Sequence, residues 1–99
     1  MTTMYNQEVP PAYNRIARAR VDPSRVTGKT RHLRDGLPLK PPSSVEIVQI
    51  PPECAGYYLL YLDESGIEQS DTYHDSIALA MQQAEFEFGL LPSDWESLA

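Results

Sequence analysis

From Ser43 to Ala99 the chain contains not one lysine or arginine. That half has no lysine or arginine to neutralise nucleic-acid phosphates, and its charge would repel such a polyanion. Cysteine is almost as scarce. Cys54 stands alone, so no internal disulfide can staple a small fold, which fits a reducing cytoplasm. Long apolar runs are missing as well. The densest, Tyr57–Leu62 (YYLLYL), falls far short of the roughly 20 residues that a membrane-spanning helix needs. The first twenty residues lack the apolar stretch of a secretory signal. The expectation is a soluble cytoplasmic protein with no membrane partner. His32, His74 and Cys54 are scattered, so a four-ligand zinc set is not expected.

The chain has 99 residues, enough for one domain at most. Its net charge of −6 conceals a sharp division. All eight basic residues lie at or before Lys40, with three acids among them, so residues 1–42 carry +5. Residues 43–99 carry eleven acids, hence −11. Such asymmetry bears on partners and association rather than on fold.

The two halves also differ in pattern. In residues 1–42, Pro10, Pro11, Pro23, Pro38, Pro41 and Pro42 interrupt any long element. This half reads as a poorly ordered basic arm, with a short helix over about Ala12–Arg20 on the strength of its Ala and Arg content. Lys40-Pro-Pro-Ser-Ser reads as a stiff linker. Residues 43–99 read as an acidic domain. Val45–Ile50 is rich in β-branched residues and predicts a strand ended by Pro51-Pro52. Tyr57–Leu62 is apolar throughout, which predicts a strand covered on both faces. Asp63-Glu64-Ser65-Gly66 suits a tight turn. The more polar Ile67–Tyr73 suits an edge strand. Ser76 then caps a helix whose core stripe is Ile77, Ala80, Met81, Ala84 and Phe88, with Gly89 and Pro92 ending it. Ser93-Asp94-Trp95-Glu96 has capping-box spacing for a last turn, and Trp95 is expected to fold back over the sheet edge. The fold class is α+β: a three-stranded antiparallel meander with one helix on a face.

Gly56-Tyr57, the turn Asp63-Glu64-Ser65-Gly66, the cap Asp75-Ser76 and the core run Ala80-Met81-Gln82-Gln83-Ala84 resemble the HicB-like antitoxin modules of bacteria. The match covers about a third of the chain. It implies a βββα fold and an antitoxin-like role. The sequence departs from that pattern in three ways. Its turn lacks a proline, its third strand is longer, and no DNA-binding segment follows the helix. The basic arm has no counterpart in the family.

Arg25–Arg34 contains Gly-Lys-Thr, the ending of a phosphate-binding loop. The glycine that should open such a loop is replaced by Pro23, and no helix-forming sequence follows, so nucleotide binding is excluded. Arg25, Lys29, Arg31 and Arg34 remain candidates either for contact with the chain's own acids or for nucleic-acid phosphates. No aromatic residue is interleaved with them for base stacking. Catalysis is not expected: Ser76 has a structural role as a cap, and Cys54 lacks a basic neighbour. No cofactor, metal or small-molecule substrate is implied.

The leading functional expectation is a small non-catalytic bacterial binding protein, antitoxin- or immunity-like, that neutralises a basic protein partner. Glu64, Glu68, Asp71, Glu85 and Glu87 would supply charge, with Glu85 and Glu87 on a solvated helix face. Leu79 and Phe86, seven residues apart and opposite the core stripe, would anchor the partner. The alternatives are a nucleic-acid binder working through the arm, and a self-associating protein whose arm covers a second copy.

Overall fold

The structure is a computed structural model that describes residues 14–29, 33–38, 40–49 and 56–98. Strands β1 (Asn14–Arg20), β4 (Ser44–Gln49), β5 (Tyr57–Leu62), β6 (Glu68–His74) and the two-residue β7 (Glu96–Ser97) form one antiparallel sheet in the order β6-β5-β4-β1-β7. One helix, α1 (Ile77–Phe88), packs on a face of it. A separate hairpin, β2 (Leu33–Arg34) and β3 (Leu37–Pro38), turns at Asp35-Gly36. Both turn residues have positive φ, 55° and 81°, as the tight primed hairpin turns require.

The meander β4-β5-β6 follows the sequence closely. In β5, Leu59, Leu60, Tyr61 and Leu62 are all buried, because the strand has neighbours on both sides and both faces are covered. The turn after it is fixed by Asp63. Its carbonyl accepts from Gly66 N–H at 2.9 Å, and its Oδ1 accepts from the amides of Ser65 and Ile67 at 2.8 and 2.9 Å. Helix α1 begins where Ser76 Oγ accepts from Leu79 N–H at 3.1 Å. It ends at Gly89, whose φ of 68° is the left-handed cap conformation.

Two expectations are corrected. The sheet has five strands, not three. The additional long strand, β1, comes from the stretch assigned to the arm and to a short helix. Ala17, Ala19 and Val21 recur every second residue, so an extended chain puts all three on one face. They are buried there at 5%, 3% and 8% exposure. Small side chains at the helix-facing side of β1 let α1 and Trp95 close over Val45, Ile47, Leu59 and Tyr61. The second correction is at the C-terminus. Pro92–Asp94 is a single 3-10 turn, after which Glu96–Ser97 adds β7 to the outer edge of β1. Residues 1–13, part of the proposed arm, lie outside the described residues.

The sheet has a second, smaller apolar cluster on the face away from α1: Val48, Leu60 and Leu62, with Tyr58 against them. Register places Glu46 opposite Leu60 and Arg18 opposite Glu46 on that same face. Tyr58 meets Tyr73 of β6 edge-to-face at 5.3 Å. Gly56 allows this arrangement. A Cβ there would lie 2.0 Å from the Tyr73 hydroxyl, so any side chain at 56 displaces that ring.

Candidate functional site

An open cleft of about 480 Å³ lies between the end of β6 and the outward side of α1. It is lined by Tyr73, His74, Asp75, Leu79, Gln82, Gln83 and Phe86. The helical period explains the helix contribution: positions 79, 82, 83 and 86 share one side, away from the core stripe. Leu79 and Phe86 are 44% and 45% exposed, large for apolar side chains on a polar helix face. The two predicted anchors therefore sit in one depression.

A chain of hydrogen bonds runs from this cleft into the core. His74 Nε2 lies 2.7 Å from Thr72 Oγ1, which lies 3.4 Å from the Tyr61 hydroxyl. Tyr61 donates to Glu87 Oε2, and Gln83 Nε2 donates to the same oxygen at 2.6 Å. Glu87 is only 2% exposed. This corrects the expectation that Glu87 lies on a solvated face. Position 87 is seven residues after Ala80 and three after Ala84, so spacing puts it beside the core stripe, and Tyr61 and Gln83 give its carboxyl the donors a buried acid needs. Burial, then Glu87's hydrogen bond, raises the Tyr61 phenol far above its ordinary range. Burial also lowers His74, against the opposing charges of Glu87 and Asp75, which favours the neutral ring.

The remaining predicted acids divide. Glu85 is exposed on α1 and Glu64 in the β5–β6 turn. Glu68 and Asp71 come together on β6, on the face away from α1, opposite Leu62 and Leu60. Partial desolvation, then a hydrogen bond and repulsion from Asp71, raises Glu68 to about 7. The native chain therefore holds a proton there that an unfolded chain releases near pH ~4.3. The folded pKa is the higher one, so this group favours folding at low pH, and stability declines as pH rises toward 7. Asp71→Asn is expected to lower the Glu68 titration midpoint and shrink that decline. Carbon-detected NMR titration of the Glu68 carboxyl checks the first, and urea unfolding at pH 5 and pH 8 the second. An unchanged midpoint contradicts the pairing.

The basic residues are placed as follows. Arg15 makes a two-point contact with Glu46, Nε to Oε2 at 2.6 Å and Nη2 to Oε1 at 3.0 Å. Arg25 Nη2 donates to the Gly89 carbonyl and to Asp94 Oδ2, the latter at 2.9 Å. Asp94 also accepts from Leu91 N–H at 2.7 Å, and this bond, followed by Arg25, lowers its pKa. Thr27 N–H donates to the Glu87 carbonyl at 2.9 Å and Thr27 Oγ1 to the Phe86 carbonyl at 2.7 Å. Lys29 Nζ then sits 5.3 Å from the centre of the Phe86 ring, a cation–π contact. Arg34 belongs to β2, and Arg31 lies outside the described residues. Arg18 and Arg20 are exposed on β1.

Sequence reasoning missed Arg15–Glu46, which depends on the unforeseen β1–β4 pairing. It also missed the Glu87–Tyr61–Thr72–His74 chain. Only the spacing of Glu87 could have signalled that chain. Among the described residues no group of three or more His, Cys, Asp or Glu is placed to hold a metal ion. No described helix is long and apolar enough to cross a membrane. The site thus defines an α+β sheet protein with an open cleft at one sheet edge, lined by Leu79, Phe86, His74 and Asp75. No family model, curated protein or solved structure matches the chain.

Proposed function

We propose that the chain is a non-catalytic binding protein whose β6–α1 flank engages a basic protein partner. The observation that carries this reading is the joint exposure of Leu79 and Phe86 in one cleft beside the acid-bearing edge strand β6. Apolar side chains in a depression provide the anchor of an interface. Asp75 stands in the cleft wall and Glu85 is exposed on α1, while Glu64 and Asp71 add negative charge at the β5–β6 turn and on the other face of β6, with Lys29 beside Phe86 as the one described cation near the cleft. Such a surface speeds encounter with a cationic partner and rejects an anionic one. The antitoxin- or immunity-like role implied by the resemblance at Gly56–Ala84 is a special case of this reading. Nucleic-acid binding through the arm is less well supported, since Arg15 and Arg25 are engaged by Glu46 and Asp94.

Affinity capture from a native lysate tests the proposal when the wild-type chain is compared with a Glu64→Lys/Glu68→Lys/Asp71→Lys variant. The wild type is expected to retain a basic protein at 50 mM salt and to release it at 500 mM. The variant is expected to retain about tenfold less. Equal retention by both chains, or a retained partner that is acidic, contradicts the proposal.

A further inference from the structure

We infer that the β6–α1 cleft is a receptor for one cationic side chain, lysine or arginine, of the basic partner. This rests on the proposed reading and names the chemistry of its contact. Tyr61 gives its only hydroxyl hydrogen to Glu87. With the Thr72 hydrogen directed to Tyr61, the orientation we assign to this 3.4 Å contact, the 2.7 Å contact between Thr72 and His74 uses a hydrogen on Nε2. The donors thus run in one direction, from the cleft wall inward to Glu87. A neutral imidazole with Nε2–H leaves Nδ1 as an acceptor. Nδ1 has no partner among the described residues.

The cleft therefore offers a hydrogen-bond acceptor on His74, a full negative charge on the adjacent Asp75, an aliphatic wall at Leu79 and an aromatic face at Phe86. These four suit a side chain with an alkyl stem and a cationic head. The amide side chains of Gln82 and Gln83 complete the lining. The positive end of the α1 dipole, only about half a charge, works against a cation here. Ser76 Oγ already satisfies one of its amides, and Asp75 outweighs the remainder. Lys29 already places an ammonium group 5.3 Å from the Phe86 ring centre, so an incoming cation must displace this exposed side chain, and Lys29 is the group it competes with for the ring.

The test uses the ¹⁵N-labelled full chain and capped peptides Gly-Ser-X-Ser-Gly, with X as lysine, norleucine or glutamate. The lysine peptide is expected to shift the amides of His74, Asp75, Leu79, Gln83 and Phe86 in a saturable way. The norleucine and glutamate peptides are expected to bind about fivefold more weakly or not at all, the scale of one cation–π or charge contact. Asp75→Asn, a change at an exposed position, is expected to weaken the lysine peptide by a similar factor. A long-range ¹H–¹⁵N spectrum is expected to show His74 as the Nε2–H tautomer. Equal binding of the glutamate peptide, no saturable shift in the cleft, or an Nδ1–H tautomer overturns the inference. Capture of a basic partner that depends on Glu64, Glu68 and Asp71 but not on Asp75 overturns it as well, and leaves the broader proposal standing.

Discussion

A chain that begins at Ser43 is expected not to fold. Removing residues 1–42 takes β1 out of the sheet, and with it the buried Ala17, Ala19 and Val21. Val45 and Ile47, both 0% exposed, then line an open edge, and each Å² of apolar surface returned to water costs about 25 cal/mol. Glu46 loses Arg15 while its side chain is 8% exposed. Leaving such an acceptor without its charged donor costs ~1–3 kcal/mol or more. The anchor at the far end of α1 disappears too, because Arg25 and Thr27 hold the carbonyls of Gly89, Phe86 and Glu87. Net stabilities are ~5–15 kcal/mol, and domains of about 60 residues sit at the lower end. The truncated chain should give a collapsed amide spectrum and no cooperative urea transition. A dispersed spectrum with a sharp transition contradicts the five-stranded account. Deletion of the arm is consequently no clean assay of its charges. Arg18→Gln and Arg20→Gln, at exposed positions, serve that purpose without dismantling the sheet.

The second large effect is expected at Tyr61 and Glu87. Tyr61→Phe takes from the buried Glu87 carboxyl the hydroxyl that donates to it, at a cost of ~1.5–3 kcal/mol for a bond to a buried acid. Glu87→Leu leaves the Tyr61 hydroxyl buried beside an alkyl group, at a similar cost. The double variant removes both members of the pair, while Gln83 and Thr72 lose a partner in it as they do in the single variants, so it should be less destabilised than the two single costs together. Urea unfolding of the four proteins is expected to give a coupling energy of at least about 1 kcal/mol. Additivity within ~0.3–0.5 kcal/mol, the behaviour of independent sites, would falsify the hydrogen-bonded pair. The T-shaped contact of Tyr61 with Phe88, centroids 5.7 Å apart, is retained in Tyr61→Phe, so packing loss does not confuse the comparison.

These two effects mark where the sequence was legible and where it was not. Strand β5 announced itself because an unbroken apolar run needs cover on both faces, and the turn, cap and stop at Asp63, Ser76 and Gly89 have local chemistry that acts within a few residues. β1 was hidden by competing signals. Alanine and arginine favour helix, and the surrounding prolines suggested disorder, yet Ala17, Ala19 and Val21 alternate as a half-buried strand does. Its partner β4 lies more than twenty residues away, so tertiary pairing rather than local propensity decides its form. Glu87 was misplaced for the opposite reason: its charge argued for water while its spacing argued for the core. Leu79 and Phe86 were legible as an anomaly, because two large apolar residues opposite a core stripe have no structural use in the helix. That they share a cleft with His74 and Asp75 follows only from the packing of α1 against the end of β6.

The central claim is that the β6–α1 flank, and not the basic strand β1, meets the partner. Hydrogen exchange of the full chain, free and bound to the basic protein it captures, measures this most directly. Slowed exchange is predicted across Glu68–His74 and along Ile77–Phe88, with Asn14–Arg20 unchanged. Protection confined to Asn14–Arg20, with β6 and α1 exchanging as in the free chain, would contradict it.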